Sequence, residues 1–467
     1  MREHETEGRG NRARRIHREP IGKGMTSIFR PHEYSSGRRS GASSACWFAC
    51  LLTAATLSLG VTTPAIAQDS TAARDSAKAA MDSLSERLRR AEEAIDVLRE
   101  QLATQAASSV QSATRVQVEL FGRVLMNGFS NSTRVNNSDV PLFALPTGGR
   151  GALGATVRQT SLGVAVTISR VLGGDFAGDI HMDFFGGQQP SGGGRHFPLI
   201  RVRTARGIVR WQRGELLFGQ EVPLIVGLNP VSVASFGTPN FVAAGNLWLW
   251  LPQLRGTLEL GSPARIALQG AVLAPTSGDP ANAFDTDSDP AERSRRPYLQ
   301  SRLRTRWGER EREGEIGVAG HVGWLRRDDG VRVRSEALGI DAKIPLGGYV
   351  ELRGEAYTGR ALRGLGAGGI GQNITLTGSA VRDRGGWAQL LLRPSTRLEL
   401  GSGCGVSDPD DENLPAQRQR NVACATHVIT RPGGPIVAGL EYRQLRTRFP
   451  AGTRRNHHIN LAVGFEF

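Results

Sequence analysis

The sequence predicts an all-β fold: a transmembrane antiparallel β-barrel of roughly 16 strands, preceded by a signal peptide and a short N-terminal coiled-coil helix. Three observations predict it. An apolar leader ending in small residues directs the chain out of the cytoplasm. From Val116 onward, apolar and polar residues alternate in segment after segment. The chain also stops on "HHINLAVGFEF", a strand whose last residue is aromatic. There Ile459, Leu461, Val463, Phe465 and Phe467 share one parity, while Asn460, Ala462, Gly464 and Glu466 share the other. A period of two is that of a strand with unlike faces.

Residues 1–67 read as the leader. The stretch "ACWFACLLTAATLSLGVTTPAIA" is apolar, follows Arg38 and Arg39, and closes on Ala65-Ile66-Ala67, the pattern of a secretory signal cut after Ala67. Its basic n-region is long, and Met25 is an alternative start to Met1. The leader holds ten basic against five acidic side chains, so a formal charge of +14 becomes +9 on its removal. Export makes nucleic acid an unsuitable partner despite an isoelectric point of about 10.7. Cys46 and Cys50 leave with the leader, and the remaining Cys404 and Cys424 favour one disulfide in an oxidising compartment.

Residues 68–107 carry a heptad pattern. Met81, Leu84, Leu88, Ala91, Ile95, Leu98 and Leu102 occupy a and d positions, with charged residues on the remaining faces. This predicts a short periplasmic coiled-coil helix, against the alternative of a single amphipathic helix. Residues 108–115 form a linker, and 116–467 form the barrel.

In the body, "VQVELFGRV", "FAGDIHMDFF", "QLRGTLEL", "LQSRLRTRW" and "YVELRGEAY" each set an apolar parity against a polar one. Mean hydropathy is −0.28, and no apolar run outside the leader is long enough for a membrane helix. Barrels need no such run, because only alternate residues meet lipid. At about 20–22 residues per strand and turn, the body holds roughly 16 strands, enough to enclose an aqueous lumen. By parity Arg201, Arg203, Arg255, Arg302, Arg304, Arg306 and Arg353 face that lumen, as do Glu119, Asp183, Glu259, Glu351, Glu355 and Glu441. Rows of arginine at every second residue lower the cost of dehydrating an anion. The alternative is that each arginine is neutralised by a lumen acid.

The segment "EVPLIVGLNPVSVASFGTPNFVAAGNLWLW" (221–250) loses the alternation and contains three prolines. It reads as a loop folded into the lumen, the alternative being a long external loop. No enzymatic site emerges: Asn456-His457-His458 lacks a convincing serine partner. The carboxylates Asp408, Asp410 and Asp411 leave a Ca²⁺ site open, but their spacing suits a hairpin tip better, and no cofactor is expected. "GLGAGGIG" (364–371) reads as an ordinary flexible loop.

Several stretches resemble the trimeric porins typified by DcaP, related to the phosphate-selective porins O and P. "DFAGDIHMDFFG", "IRVRTARG", "LLFGQ", "SDPDDENLPAQRQRN" and "GLEYRQLRT" carry the resemblance, although Thr204 and Arg206 stand where that family often has aromatic residues or histidine. The resemblance implies an outer-membrane porin, a homotrimer, through which small anionic solutes such as carboxylates or phosphate-like ions diffuse passively. Phe465 and Phe467 resemble the signal read by the barrel-insertion machinery, with outer-membrane lipids around the wall. A structural or adhesive barrel, its coiled coil contacting the cell wall, is the alternative.

Overall fold

The computed structural model describes residues 86–90, 92, 93, 95, 116–186, 198–261, 265–278, 288–308, 312–410 and 412–467. The leader, most heptad positions and Asp411 lie outside these residues. The chain divides into two units, taken here in turn.

In the first unit, Glu86–Arg90 are helical, with Glu86 half-buried and Arg87–Arg90 exposed. Arg89 donates to Glu86 at 2.7 Å and to Glu93 at 2.5 Å, and Arg90 donates to Glu86 at 2.9 Å. Pairs three and four apart each stabilise an exposed helix by about 0.2–0.5 kcal/mol.

The second unit is a closed antiparallel barrel. Its strands are β1 (Val116–Asn131), β2 (Leu153–Thr156), β3 (Ser161–Val171), β4 (Gly174–Gly186), β5 (Leu199–Arg210) and β6 (Gly214–Glu221). They continue as β7 (Leu251–Leu260), β8 (Arg265–Leu273), β9 (Tyr298–Trp307), β10 (Gly314–Arg326), β11 (Arg332–Leu346) and β12 (Val350–Arg360). The wall ends with β13 (Arg382–Ser395), β14 (Leu398–Ser407), β15 (Arg420–Thr430), β16 (Ile436–Phe449) and β17 (Gly452–Glu466). Each strand pairs with its successor, while β2 and β3 together form one interrupted strand beside β1. The wall thus has 16 positions for 17 strand segments.

Closure explains why the chain finishes on a strand. β17 pairs with β1 from Asn131↔His458 to Arg123↔Glu466, and Gly122 and Phe467 exchange backbone hydrogen bonds of 2.9 and 3.0 Å. A closed sheet leaves no edge group unpaired in hydrocarbon.

The alternation sorts side chains as a membrane wall requires. Leu254, Leu303, Leu338, Ile340, Leu440 and Leu461 are exposed on the outside, while Gln253, Arg302, Asp341, Glu441 and Asn460 are buried inside. An apolar face running around the whole circumference would be an aggregation surface in water, whereas in acyl chains it costs nothing. Short turns join β3–β4, β5–β6, β7–β8, β11–β12 and β13–β14 at the end that also holds Phe467. Most of the longer connections lie at the other end.

Two of those connections turn inward. Residues 364–371, expected to be a flexible loop, are packed within the connection 361–381. Leu362, Leu365 and Ile370 are at most 1% exposed, and the Gly369 amide donates to Asp383 at 2.7 Å. The expectation failed because glycine content alone does not report what a segment packs against. The second inward connection is the one between β6 and β7.

Candidate functional site

Residues 222–250 lie inside the barrel and bond to its wall on many sides. Gln159, at the break between β2 and β3, accepts the Phe236 amide at 2.6 Å and donates to the Ala234 carbonyl at 2.8 Å. Gln389 of β13 accepts the Val231 amide at 2.7 Å, and Gln300 of β9 accepts that of Ile225 at 3.2 Å. Glu441 of β16 accepts Ser232 at 2.7 Å and Asn240 at 3.0 Å. Asn421 of β15 donates to the Ala243 carbonyl at 2.8 Å. The interrupted hydrophobic pattern therefore belongs to a segment whose apolar residues meet the inner wall. Leu224, Ile225, Leu247 and Phe241 are all at most 3% exposed. An external loop is excluded.

Close approach depends on small residues. Gly245 has φ +94°, and a Cβ there would sit 2.3 Å from backbone atoms of Gly386 in β13. Across from it, a Cβ on Gly405 of β14 would meet the Ala244 carbonyl at 2.2 Å. Glycine is the residue that tolerates both conditions.

The seven arginines expected at the lumen face it, but in different company. On β9, Arg302 donates to Glu315 at 2.7 Å and Asp341 at 2.5 Å, Arg306 donates to Glu315 at 2.5 Å, and Arg304 donates to Glu259 at 2.9 Å. Arg353 pairs with Glu351 at 2.5 Å and donates to the Asn229 carbonyl of the inner loop at 3.0 Å. Arg255 instead donates to the side chain of Gln253 at 2.9 Å and to the Val222 carbonyl, so it anchors the start of the loop. Glu119 is half-buried near the start of β1. Glu355 accepts the Leu247 amide at 3.4 Å, again from the loop.

Arg201 and Arg203 of β5 make a different cluster. Both approach Asp183, at 2.6 and 3.9 Å, and Arg201 also donates to the Gly237 carbonyl of the loop. Arg203 lies 4.1 Å from the centroid of Phe236 and 4.9 Å from that of Trp250. Arg123 of β1 also lies 4.1 Å from the Phe236 centroid. Arg123 and Arg431 share Glu466, at 3.6 and 3.2 Å. Arg123, Arg203 and Arg431 border one pocket with Ser232, Ser235 and Phe236 of the loop. Here four guanidiniums gather around two carboxylates, whereas the three arginines of β9 meet three, Glu259, Glu315 and Asp341.

Parity reasoning missed Arg206 and Arg443. A bulge in β5 makes the backbone register with β4 skip position 203, because His181 pairs with Thr204 and Met182 with Val202. One extra residue reverses the faces beyond it. Thr204 and Arg206 therefore turn inward, to Asp179 at 2.8 and 2.6 Å. Arg206 also meets Glu221. Arg443 was legible by parity with Glu441, to which it donates at 2.7 Å.

Elsewhere, Cys404 and Cys424 are joined across β14 and β15, with Cα atoms 4.0 Å apart on directly opposed residues. The bridge lies within the ladder, below the loop of 408–419. Asp408 faces Arg384 at 3.4 Å and Arg420 at 3.6 Å. The amide of Asp410 donates to the Arg382 carbonyl at 3.0 Å. Among the described residues no cluster of His, Cys, Asp or Glu has a metal-holding arrangement. Phe465 and Phe467 are exposed at the short-turn end with ring centroids 6.0 Å apart.

This barrel with an occupied lumen matches solved channel structures. The outer membrane channel DcaP of Acinetobacter baumannii superposes with a TM-score of 0.59 at 17% identity, over 76% of this chain and 99% of that one. An anion-selective porin from Comamonas acidovorans superposes with a TM-score of 0.50 at 10% identity, over 75% of this chain and 100% of that one. At such identities the likeness is one of fold, and at that level the resemblance to DcaP holds. No family profile and no curated protein sequence matches the chain.

Proposed function

We propose that the protein is an outer-membrane porin, a homotrimer whose water-filled channels admit small anionic solutes by passive diffusion. The observation that carries this reading is the loop 222–250 lying across the lumen with Arg123 and Arg203 against its Phe236. A loop anchored to the wall on many sides narrows the path without blocking the fold. Guanidiniums held beside it offer fixed positive charge where an ion sheds water. The leader of residues 1–67 supports export, and the DcaP structure supports an outer-membrane channel on grounds of fold. Anion preference is assigned to the cluster of Arg123, Arg201, Arg203 and Arg431, because these four guanidiniums gather around two acids, Asp183 and Glu466. The β9 row serves the wall, since its three arginines are matched by Glu259, Glu315 and Asp341.

Reconstitution of the purified protein in planar bilayers tests the proposal. Stepwise conductance with a reversal potential favouring chloride in a KCl gradient is the expected result. A silent protein, or one preferring potassium, overturns it. Native mass spectrometry of the detergent-extracted protein reads the trimer separately.

A further inference from the structure

Gln300, His321 and Ser335 lie side by side on the inner face of β9, β10 and β11, each at most 5% exposed. Gln300 and His321 are register partners, and Ser335 stands diagonally across from His321, whose own partner is Ala337. Side chains so placed on one face of a sheet are within reach of one another. They form a row: Gln300 Nε2 is 3.0 Å from His321 Nδ1, and His321 Nε2 is 3.1 Å from Ser335 Oγ.

Both ends of the row leave the wall. The Ile225 amide of the inner loop donates to Gln300 Oε1 at 3.2 Å, and the Ser335 hydroxyl donates to the Ala361 carbonyl at 2.8 Å. One arrangement of protons satisfies all four links. Gln300 Oε1 is taken by an amide, so its Nε2 donates and His321 Nδ1 accepts. Ser335 gives its single hydrogen to Ala361, so its oxygen accepts from His321 Nε2–H. Each buried group thus has its partner only while the next one is in place. Ala361 has φ +52°, a region that residues with side chains rarely enter, and it is where the chain leaves β12 and turns into the lumen. The row therefore runs from the seat of one inward connection, 222–250, to the entry of the other, 361–381.

The two connections also meet directly. The Leu365 carbonyl accepts the Trp248 and Leu249 amides at 3.1 and 3.3 Å. Gly366 has φ +102°, and a Cβ there would lie 2.6 Å from the Trp248 side chain. Ile225, Leu247, Leu362 and Leu365 share one apolar core with Tyr298 of the wall, and Tyr298 holds the His321 ring edge-on at 4.9 Å between centroids. The other wall glutamines behave differently. Gln159 and Gln389 give both ends of their amides to loop 222–250, whereas Gln300 gives one end to the loop and the other to His321.

We propose that His321 is a positioning residue for the constriction. Through Gln300 and Ser335 it ties the seat of loop 222–250 to the entry of connection 361–381, so that the two segments hold or loosen together and jointly set the width of the path. His321 is buried behind both and touches no solute. The inference rests on the channel reading of the inner loop and adds to it a second segment and the residue that couples them.

Hydrogen–deuterium exchange of the full-length protein in detergent, read by mass spectrometry, tests the coupling. His321→Leu, which keeps bulk and removes both ring nitrogens, speeds exchange by about tenfold in 222–228 and in 361–366 together. Strands β14–β17 keep the parent rates. His321→Gln, whose amide again offers one acceptor and one donor, stays near the parent. Ser335→Ala cuts the last link with little change of volume and shows the same paired loosening, so it carries the test if the leucine variant does not fold. Faster exchange in one segment alone overturns the proposal. So does loosening of β9–β11 with both segments still protected, or a glutamine variant that behaves like leucine. In planar bilayers His321→Leu flickers more than the parent at an unchanged reversal potential, because the arginine cluster is intact. A protein that conducts nothing overturns the channel reading, whereas the exchange rates are read without conduction, so the two failures register in different measurements.

Discussion

The guanidinium of Arg203, on the wall strand β5, lies 4.1 Å from the centroid of the Phe236 ring, which belongs to the loop filling the lumen. A wall cation and a loop aromatic are thus held face to face, and Arg123 takes up the same distance to the same ring. Each such contact contributes on the order of 0.5–2 kcal/mol, more as water is excluded. Loop position and basic character are coupled at this point, and the first two predictions separate them.

Phe236→Ala removes the ring shared by both arginines. The wall ladders do not depend on it, so the barrel stays folded. The loop loses an anchor of about 1–2 kcal/mol, and single-channel recordings show larger conductance with more frequent flicker. Unchanged conductance means the loop does not set the width.

Arg203→Ala and Arg302→Ala should diverge. Replacing Arg203 shifts the reversal potential toward potassium with little loss of stability. Replacing Arg302 strips the buried Asp341 and Glu315 of a shared partner, a loss of about 3–5 kcal/mol for a broken buried pair. Denaturant unfolding in detergent measures the second effect. Equal selectivity shifts in the two variants contradict the division between lumen cluster and wall row.

Gly245→Val forces a β-branched residue into φ +94° with its Cβ against β13. The strained backbone alone costs about 1–3 kcal/mol, and the steric clash adds to it. Limited proteolysis should find cleavage within 222–250 in the variant and none in the parent. Protection equal to the parent shows that the loop has another way to seat.

The double substitution Cys404→Ser, Cys424→Ser removes a crosslink spanning 20 residues of sequence. Loss of about 2–4 kcal/mol is expected, seen as an earlier denaturant midpoint. Because the two residues already face each other in the ladder, conductance and selectivity remain those of the parent. Altered conductance places the bridge in the permeation path.

Much of this architecture was legible before any coordinates. Period-two alternation in β7, β9 and β12 identified which side chains face inward, and Arg255, Arg302, Arg304 and Glu355 all lie where parity put them. Loss of alternation after Glu221 marked the inner loop. The final strand, ending on Phe467, announced closure, and β17 does pair with β1. These are local properties, because the pleat alone decides the face of each residue along a strand.

Other features depended on the tertiary structure. A bulge at Arg203 turned Arg206 inward, and nothing in "RVRTARG" signals an extra residue, since bulges arise from pairing with the neighbouring strand. Likewise, Arg302 is tied to the wall by Asp341, 39 residues away on β11, whereas Arg203 lies between Asp183 of β4 and the Phe236 ring of the loop. Strand composition supplied the arginines and the acids. Which of them meet was settled by register and by the path of the loop, because ion pairing acts through space at a few ångströms, and only the closed sheet brings distant strands that near.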